Sequence, residues 1–320
     1  VLTSVGGLAV NQTLPPASVA QGQRAEAIAS TADGLNATFI SEGLVCLSHV
    51  DSGIPLTCVP SVNGRADGYR ALASTVDNPI YAAIHPHLQV GSHLHAAALE
   101  EFVDAWAVAI LLACGIAQAQ AFFLIGASAG GLLAQQTALA ARNRGLPPRL
   151  VFLLDPLPPT RPLSLSAGPL AAVRYLSTLL FEEAFQPPEE AELADLGILL
   201  AGRAAELGHT PFTSASVLER QRELRATTHL LDLASSFMGR AGPAAECKCQ
   251  VCLVVASERE VFFMNETGCT REQSSIATAK LYGEIIEQLE VSGSHWSVCA
   301  RCSTGDVEEF SILLHRWLNH

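Results

Sequence analysis

The stretch FFLIGASAGGLLAQQTALA, residues 122–140, decides the fold: an apolar run that suits a buried strand leads through Gly126-Ala127-Ser128-Ala129-Gly130 into small residues that suit a helix. The pentapeptide G-x-S-x-G between a strand and a helix is the signature of a sharp turn that carries a serine at its tip. Glycines flank the turn where a side chain would collide, and the helix that follows opens with backbone N–H groups pointing toward the serine. No charged residue occurs between Asp104 and Arg142, yet Gln118, Gln120, Gly126, Gly130, Gly131, Gln135 and Gln136 interrupt the run. It therefore reads as helix, strand and second helix buried in a core, and not as a membrane span.

Working outward, PLTCVP (55–60) reads as a strand, followed by SVNG and a helix carrying YRALAS; PIYAAI (79–84) is a second strand and residues 96–113 a helix. On the other side lie a helix over 130–143, a Gly-Leu-Pro-Pro turn and the strand RLVFLLD (149–155). CQVCLVVAS (249–257) and a segment near 286–291 supply further strands, and a helix over 306–318 closes the chain. Strands that are apolar throughout, alternating with helices, predict a mostly parallel sheet covered on both faces. Residues 157–245 differ: LPPTRPLSL leads into helical stretches without a strand between them. They are expected to form a helical lid over the carboxyl ends of the strands, where open α/β sheets bind ligands. Residues 1–45, with Pro15-Pro16 and little periodicity, read as a linker or peripheral segment before a domain spanning 46–320.

The chain has 320 residues, 49% hydrophobic and 16% charged, which fits one globular domain with a large core. Nineteen Lys and Arg against 31 Asp and Glu give a net charge of -12, with no basic run, which argues against a nucleic-acid partner. Nine cysteines, an odd number, make a poor disulfide framework and point to the cytoplasm or another reducing compartment. The first residue is Val1 rather than Met, which fits an excised domain or a processed chain, and the opening lacks the basic start of a signal peptide. Three N-x-T sequons, at 11, 36 and 265, matter only in a secreted chain.

A serine hydroxyl needs a base, and His295 in SGSHWSV follows the last strand, so it is expected on a loop at the same end of the sheet as Ser128. The base needs an acid to orient it. Asp155 ends the strand after the nucleophile's helix, and a carboxylate there needs a partner; Glu258 or Glu260, beyond the later strand, is the rival. The oxyanion hole is expected from the backbone N–H of Ala129 and, from the loop after 55–60, that of Val62. Two other patterns are read more plainly. Cys247, Cys249 and Cys252 with Cys299 and Cys302 invite a zinc site, but they enter from opposite ends of the sheet and read as buried or surface thiols. His85, His87, His93 and His95 form two H-x-H pairs without a carboxylate and read as the polar rim of the site. Trp296 either packs over the imidazole or lines the substrate channel.

Taken together, PLTCVPSVNGRADGYRALA (55–73), FFLIGASAGGLLAQQTALA, RLVFLLDPLPP (149–159) and GSHWSV (293–298) resemble the thioesterase domains that end polyketide and fatty-acid synthases, with nonribosomal-peptide enzymes nearby. The resemblance covers roughly 52–318 and implies an α/β-hydrolase fold with a helical lid and a Ser128, Asp155, His295 triad. It places the acid at Asp155 rather than Glu258, because the family carries it on a strand followed by small and proline residues. Two departures stand out: Pro60-Ser61-Val62 where the family usually has a His-Pro pair followed by the oxyanion donor, and Ala127 where His or Tyr is common. The implied activity is transfer of an acyl chain from the phosphopantetheine thiol of an acyl carrier protein to the serine, then release to water or to an internal hydroxyl or amine. No cofactor is implied in this domain. The resemblance allows a homodimer, as in some branches of the family. With an acidic carrier, a charge of -12 calls for covalent tethering or a local basic entrance near Arg161 and Arg174. A stand-alone carboxylesterase or lipase, and a non-catalytic hydrolase fold used for binding, remain the competing readings.

Overall fold

The computed structural model describes residues 38–41, 44–48, 50, 53–60, 69–85, 99–116, 119–156, 249–258 and 271–319. The expected lid at 157–245, the loop carrying Val62, Arg161, Arg174, Glu260, Cys247 and three of the four H-x-H histidines lie outside these residues. Eight strands form one sheet: β1 (Thr38–Ser41), β2 (Leu44–Ser48), β3 (Leu56–Val59), β4 (Ile80–Ala83), β5 (Phe122–Ala127), β6 (Pro148–Leu154), β7 (Cys249–Ala256) and β8 (Gly283–Val291). Their spatial order is β1-β2-β4-β3-β5-β6-β7-β8. The pairs β1/β2 and β2/β4 are antiparallel and every other pair is parallel. This is the sheet of the α/β-hydrolase fold.

Five α-helices accompany it among the described residues: α1 (Leu99–Ile116), α2 (Ala129–Asn143), α3 (Arg271–Tyr282), α4 (His295–Thr304) and α5 (Glu308–Leu318). Alternation along the buried strands divides the core into two layers. Phe122, Leu124, Val151, Leu153, Val251 and Leu253 pack with Trp106 and Ile110 of α1 and Leu133 of α2. Phe123, Ile125, Phe152, Leu154 and Val254 pack on the opposite face with Val298 of α4 and Phe310 and Leu314 of α5. Phe152 meets Phe310 edge to face at 6.1 Å between centroids, a contact worth about 0.5–1.5 kcal/mol beyond the area it buries. Near-continuous apolar strands are thus the sequence image of a sheet covered on both sides.

Three features depart from the sequence reading. Residues 38–48 supply two strands where a linker or peripheral segment is expected up to 45. β1 forms one edge of the sheet with β2 beside it, and at four and five residues each they carry only a short apolar pattern. Second, α3 is absent from the reading because REQSSIATAKLY lacks a strong apolar stripe, although a parallel β7/β8 pair requires a crossover. Third, His295 does not sit on a loop: it is the first residue of α4, whose N-cap is Ser294.

Candidate active site

The chain reverses its direction of winding at β3, which lies between β4 and β5, and in open α/β sheets such a switch point marks where ligands bind, outside the carboxyl ends of the strands. Ser128 stands at this point, between β5 and α2, with φ 55° and ψ -124°. Asp155, directly after β6, has φ 41°. Among the described residues these two are the non-glycine residues with positive φ. A non-glycine residue in such a conformation costs of order 1–3 kcal/mol and persists where its surroundings fix it. Here the backbone is held on both sides: Ser128 N–H donates to Leu154 O at 2.9 Å, and Asp155 N–H donates to Val254 O at 2.7 Å.

The glycines of the turn answer to close packing. A Cβ on Gly126 would lie 2.3 Å from the Gly130 carbonyl oxygen, and one on Gly130 would lie 2.4 Å from that of Pro60. The helix therefore starts hard against the end of β3, which a side chain would prevent.

His295 is brought to Ser128 by the turn after β8. Gly293, at φ 128°, lets the chain reverse, and the Ser294 hydroxyl accepts from Ser297 N–H at 3.4 Å as α4 begins. The imidazole Nε2 lies 2.9 Å from Ser128 Oγ, and Nδ1 lies 2.7 Å from Asp155 Oδ2. All three side chains are buried, at 1% exposure or less. A neutral imidazole protonated on Nδ1 donates to the carboxylate and presents the lone pair of Nε2 to the hydroxyl, which is the relation general-base activation of a serine requires. Glu258, the rival acid, is exposed, and its N–H donates to Gly293 O at 3.2 Å. The arrangement is that of a Ser-His-Asp hydrolase.

Around this relay the structure adds groups that local sequence gave no means of finding. Ser275 Oγ on α3 donates to Asp155 Oδ1 at 3.1 Å and approaches Pro156 O at 3.3 Å, while Ala256 N–H reaches Oδ1 at 3.4 Å. Cys299, one helical turn after His295, donates to Leu154 O at 3.4 Å with its sulfur 3.8 Å from Nδ1. Tyr69 is buried, and its hydroxyl donates to Val59 O at 3.2 Å, at the end of β3. Burial pushes the Tyr69 hydroxyl well above the usual tyrosine range, with Cys58 and Cys299 adding to the effect, so it stays a neutral donor.

The remaining expectations fall as follows. Ala129 opens α2 directly after Ser128, where the first N–H groups have no partner within the helix. The Ser128 N–H, by contrast, is committed to Leu154 O. Val62 lies outside the described residues, as does the Trp296 side chain. His85 follows β4 and is buried rather than at a rim. Cys249 begins β7 and Cys252 lies within it, while Cys299 and Cys302 are on α4; among the described residues no group of three metal-binding side chains gathers. No helix among them is long and apolar enough to cross a membrane.

Residues 54–195 match a family model described as a thioesterase domain. Among solved structures, the Vlm2 thioesterase domain bound with a dodecadepsipeptide is similar at 21% identity and a TM-score of 0.59, covering 86% of this chain and 98% of that one. The NocB thioesterase domain from the Nocardicin cluster follows at 17% identity and 0.54, covering 88% and 100%. AB3403, a four-domain nonribosomal peptide synthetase bound to AMP and glycine, matches at 16% identity and 0.59, over 87% of this chain and 20% of that one. At these identities the likeness is one of fold. No curated protein matches the chain.

Proposed function

We propose that this chain is a chain-releasing thioesterase in which Ser128 takes an acyl or peptidyl chain from the phosphopantetheine thiol of a carrier protein. The observation that carries the reading is the unbroken relay from Ser128 Oγ through His295 to Asp155, at 2.9 and 2.7 Å, on a turn whose backbone holds the serine in a strained conformation. In the first half-reaction His295 Nε2 accepts the Ser128 proton as Oγ bonds to the thioester carbon, and the carbonyl electrons move to oxygen. The N–H groups of Ala129 and Val62 receive that oxyanion. Its collapse breaks the C–S bond, and the imidazolium returns the proton to the departing thiol. The second half-reaction repeats the steps with water, or with a hydroxyl or amine of the chain itself, and frees Ser128. Asp155 stays ionised throughout, fixing the Nδ1–H tautomer and stabilising the imidazolium.

The thioesterase match over 54–195 supports this substrate class above a general ester. The solved relatives favour a peptide assembly line over the polyketide or fatty-acid setting that the sequence resemblance put first, since AB3403 carries its matching part as a fifth of a nonribosomal synthetase. A carrier tethered in the same polypeptide overcomes the repulsion that a charge of -12 sets against an acidic partner, because tethering raises the effective concentration without any new contact. Nine cysteines, seven of them described and all seven free thiols, suit work in a reducing compartment.

Intact-protein mass spectrometry after mixing with acyl- and peptidyl-pantetheine thioesters tests the reading. A mass adduct that requires Ser128, and that resolves to free acid or ring, is the expected result. Turnover of small oxygen esters with no reaction on any thioester would replace it with a carboxylesterase; inertness to both would leave a binding module.

A further inference from the structure

We propose that Ser275, on α3, is a positioning residue of the triad: its hydroxyl fixes the Asp155 carboxylate so that Oδ2 stays directed at His295. This rests on the reading of Ser128, His295 and Asp155 as the reacting relay. Asp155 is fully buried, and a carboxylate cut off from water must find its hydrogen bonds within the protein. The imidazole takes Oδ2, at 2.7 Å. Oδ1 faces the amide of Ala256 at 3.4 Å, a long contact, and the Ser275 hydroxyl at 3.1 Å. Ser275 is itself fully buried, so its hydroxyl has no water to turn to. It has one proton and two acceptors in reach, and the shorter contact is to the charged oxygen, which binds a donor more strongly than the Pro156 carbonyl does.

Position makes the contact consequential. Asp155 hangs on a backbone with φ 41°, and a carboxylate on such a residue is aimed by whatever grips it. Rotation about the bond to the carboxyl group moves both oxygens together, so a donor on Oδ1 sets the direction of Oδ2. Ser275 and Asp155 are separated by 120 residues, and α3 lies in the crossover from β7 to β8, the strand whose following turn carries His295. The helix before β8 thus grips the acid, and the turn after β8 supplies the base.

The test uses the whole chain and a fluorophosphonate, which reports serine activation without knowledge of the natural acyl group. Wild type should be labelled at Ser128. Ser275→Ala should lower the maximal rate of labelling roughly 10-fold while leaving half-saturation unchanged, since the lost bond is to a charged group away from the probe. Ser275→Thr, which keeps the hydroxyl, should restore most of the rate. The downfield proton resonance of His295 Nδ1–H should shift in Ser275→Ala and return in Ser275→Thr, which a purely structural serine would not produce. Ser275→Cys fills the same volume with a much weaker donor and should behave like alanine, serving where the alanine chain does not fold. A folded alanine or cysteine variant with wild-type rate and an unmoved resonance overturns the role of Ser275 alone. A wild-type chain that is not labelled at Ser128 overturns the triad reading, and the role of Ser275 with it.

Discussion

Asp155 and His295 lie 140 residues apart in the chain and meet at 2.7 Å, both wholly buried, with the imidazole bridging from the carboxylate to Ser128. That contact ties the strand following the nucleophile's helix to the turn after the last strand, and it ranks the two candidate acids. Replacing Asp155 by Asn keeps the shape but lets the amide N–H group face Nδ1, favouring the wrong tautomer. Asp155→Asn is expected to lower kcat by about 10³–10⁴-fold, whereas Glu258→Ala, at an exposed position, should keep most activity. Steady-state kinetics on one thioester compares them, and the reverse ranking would move the acid to the end of β7.

Ser128 holds a backbone conformation suited to glycine. Ser128→Gly should therefore abolish acylation yet raise unfolding stability by about 1–2 kcal/mol, while Ser128→Ala abolishes acylation with no such gain. Thermal unfolding of the two variants beside wild type decides it; a glycine variant less stable than the alanine one would show that the turn stores no strain.

Gly130→Ala places a methyl group 2.4 Å from the Pro60 carbonyl oxygen. Backbone opposes backbone there, so relief requires moving the start of α2 away from β3. We expect a loss of about 1–3 kcal/mol together with weaker fluorophosphonate labelling, because the shift carries Ser128 and Ala129 with it. Denaturant unfolding and labelling rates measured on the same sample provide the check, and a variant unaffected in both would contradict the packing.

Burial pushes the thiols of Cys114, Cys252 and Cys302 up to about 12 and that of Cys249 to about 11, from an ordinary value of 9.0. For each, the folded chain keeps its proton to higher pH than the unfolded chain does. Between pH 9 and 12 the unfolded state therefore binds fewer protons, and stability falls as pH rises. Below 9 these groups are protonated in both states and have no effect on the slope. The melting temperature should show no thiol-linked decline up to about pH 8, and alanine replacement of Cys302 should flatten the fall above pH 9. Melting curves across that range test the sign.

How far the sequence could lead depended on whether a signal was local. Ser128 was legible because its requirements, glycines two residues to either side and a strand and helix beyond them, all fall within a few turns of chain. Two-sided burial of β5, β6 and β7 was legible for the same reason, as unbroken apolar runs. The edge strand β1 and its neighbour β2 were not, since runs of four and five residues carry too short a pattern. Nor was Ser275: a serine in a polar helix is unremarked until folding sets it 3.1 Å from a carboxylate.

The sequence by itself determined the sheet's class, the nucleophile and the short set of residues able to serve it, because periodicity and turn chemistry act between near neighbours. Only the tertiary structure decided that His295 opens a helix, that Asp155 and not Glu258 faces it, and that Ser275 stands behind the acid. The last two are statements of distance between segments more than a hundred residues apart. They are fixed by the register of parallel strands β5 to β8 and by the burial that leaves a carboxylate no partner but the protein around it.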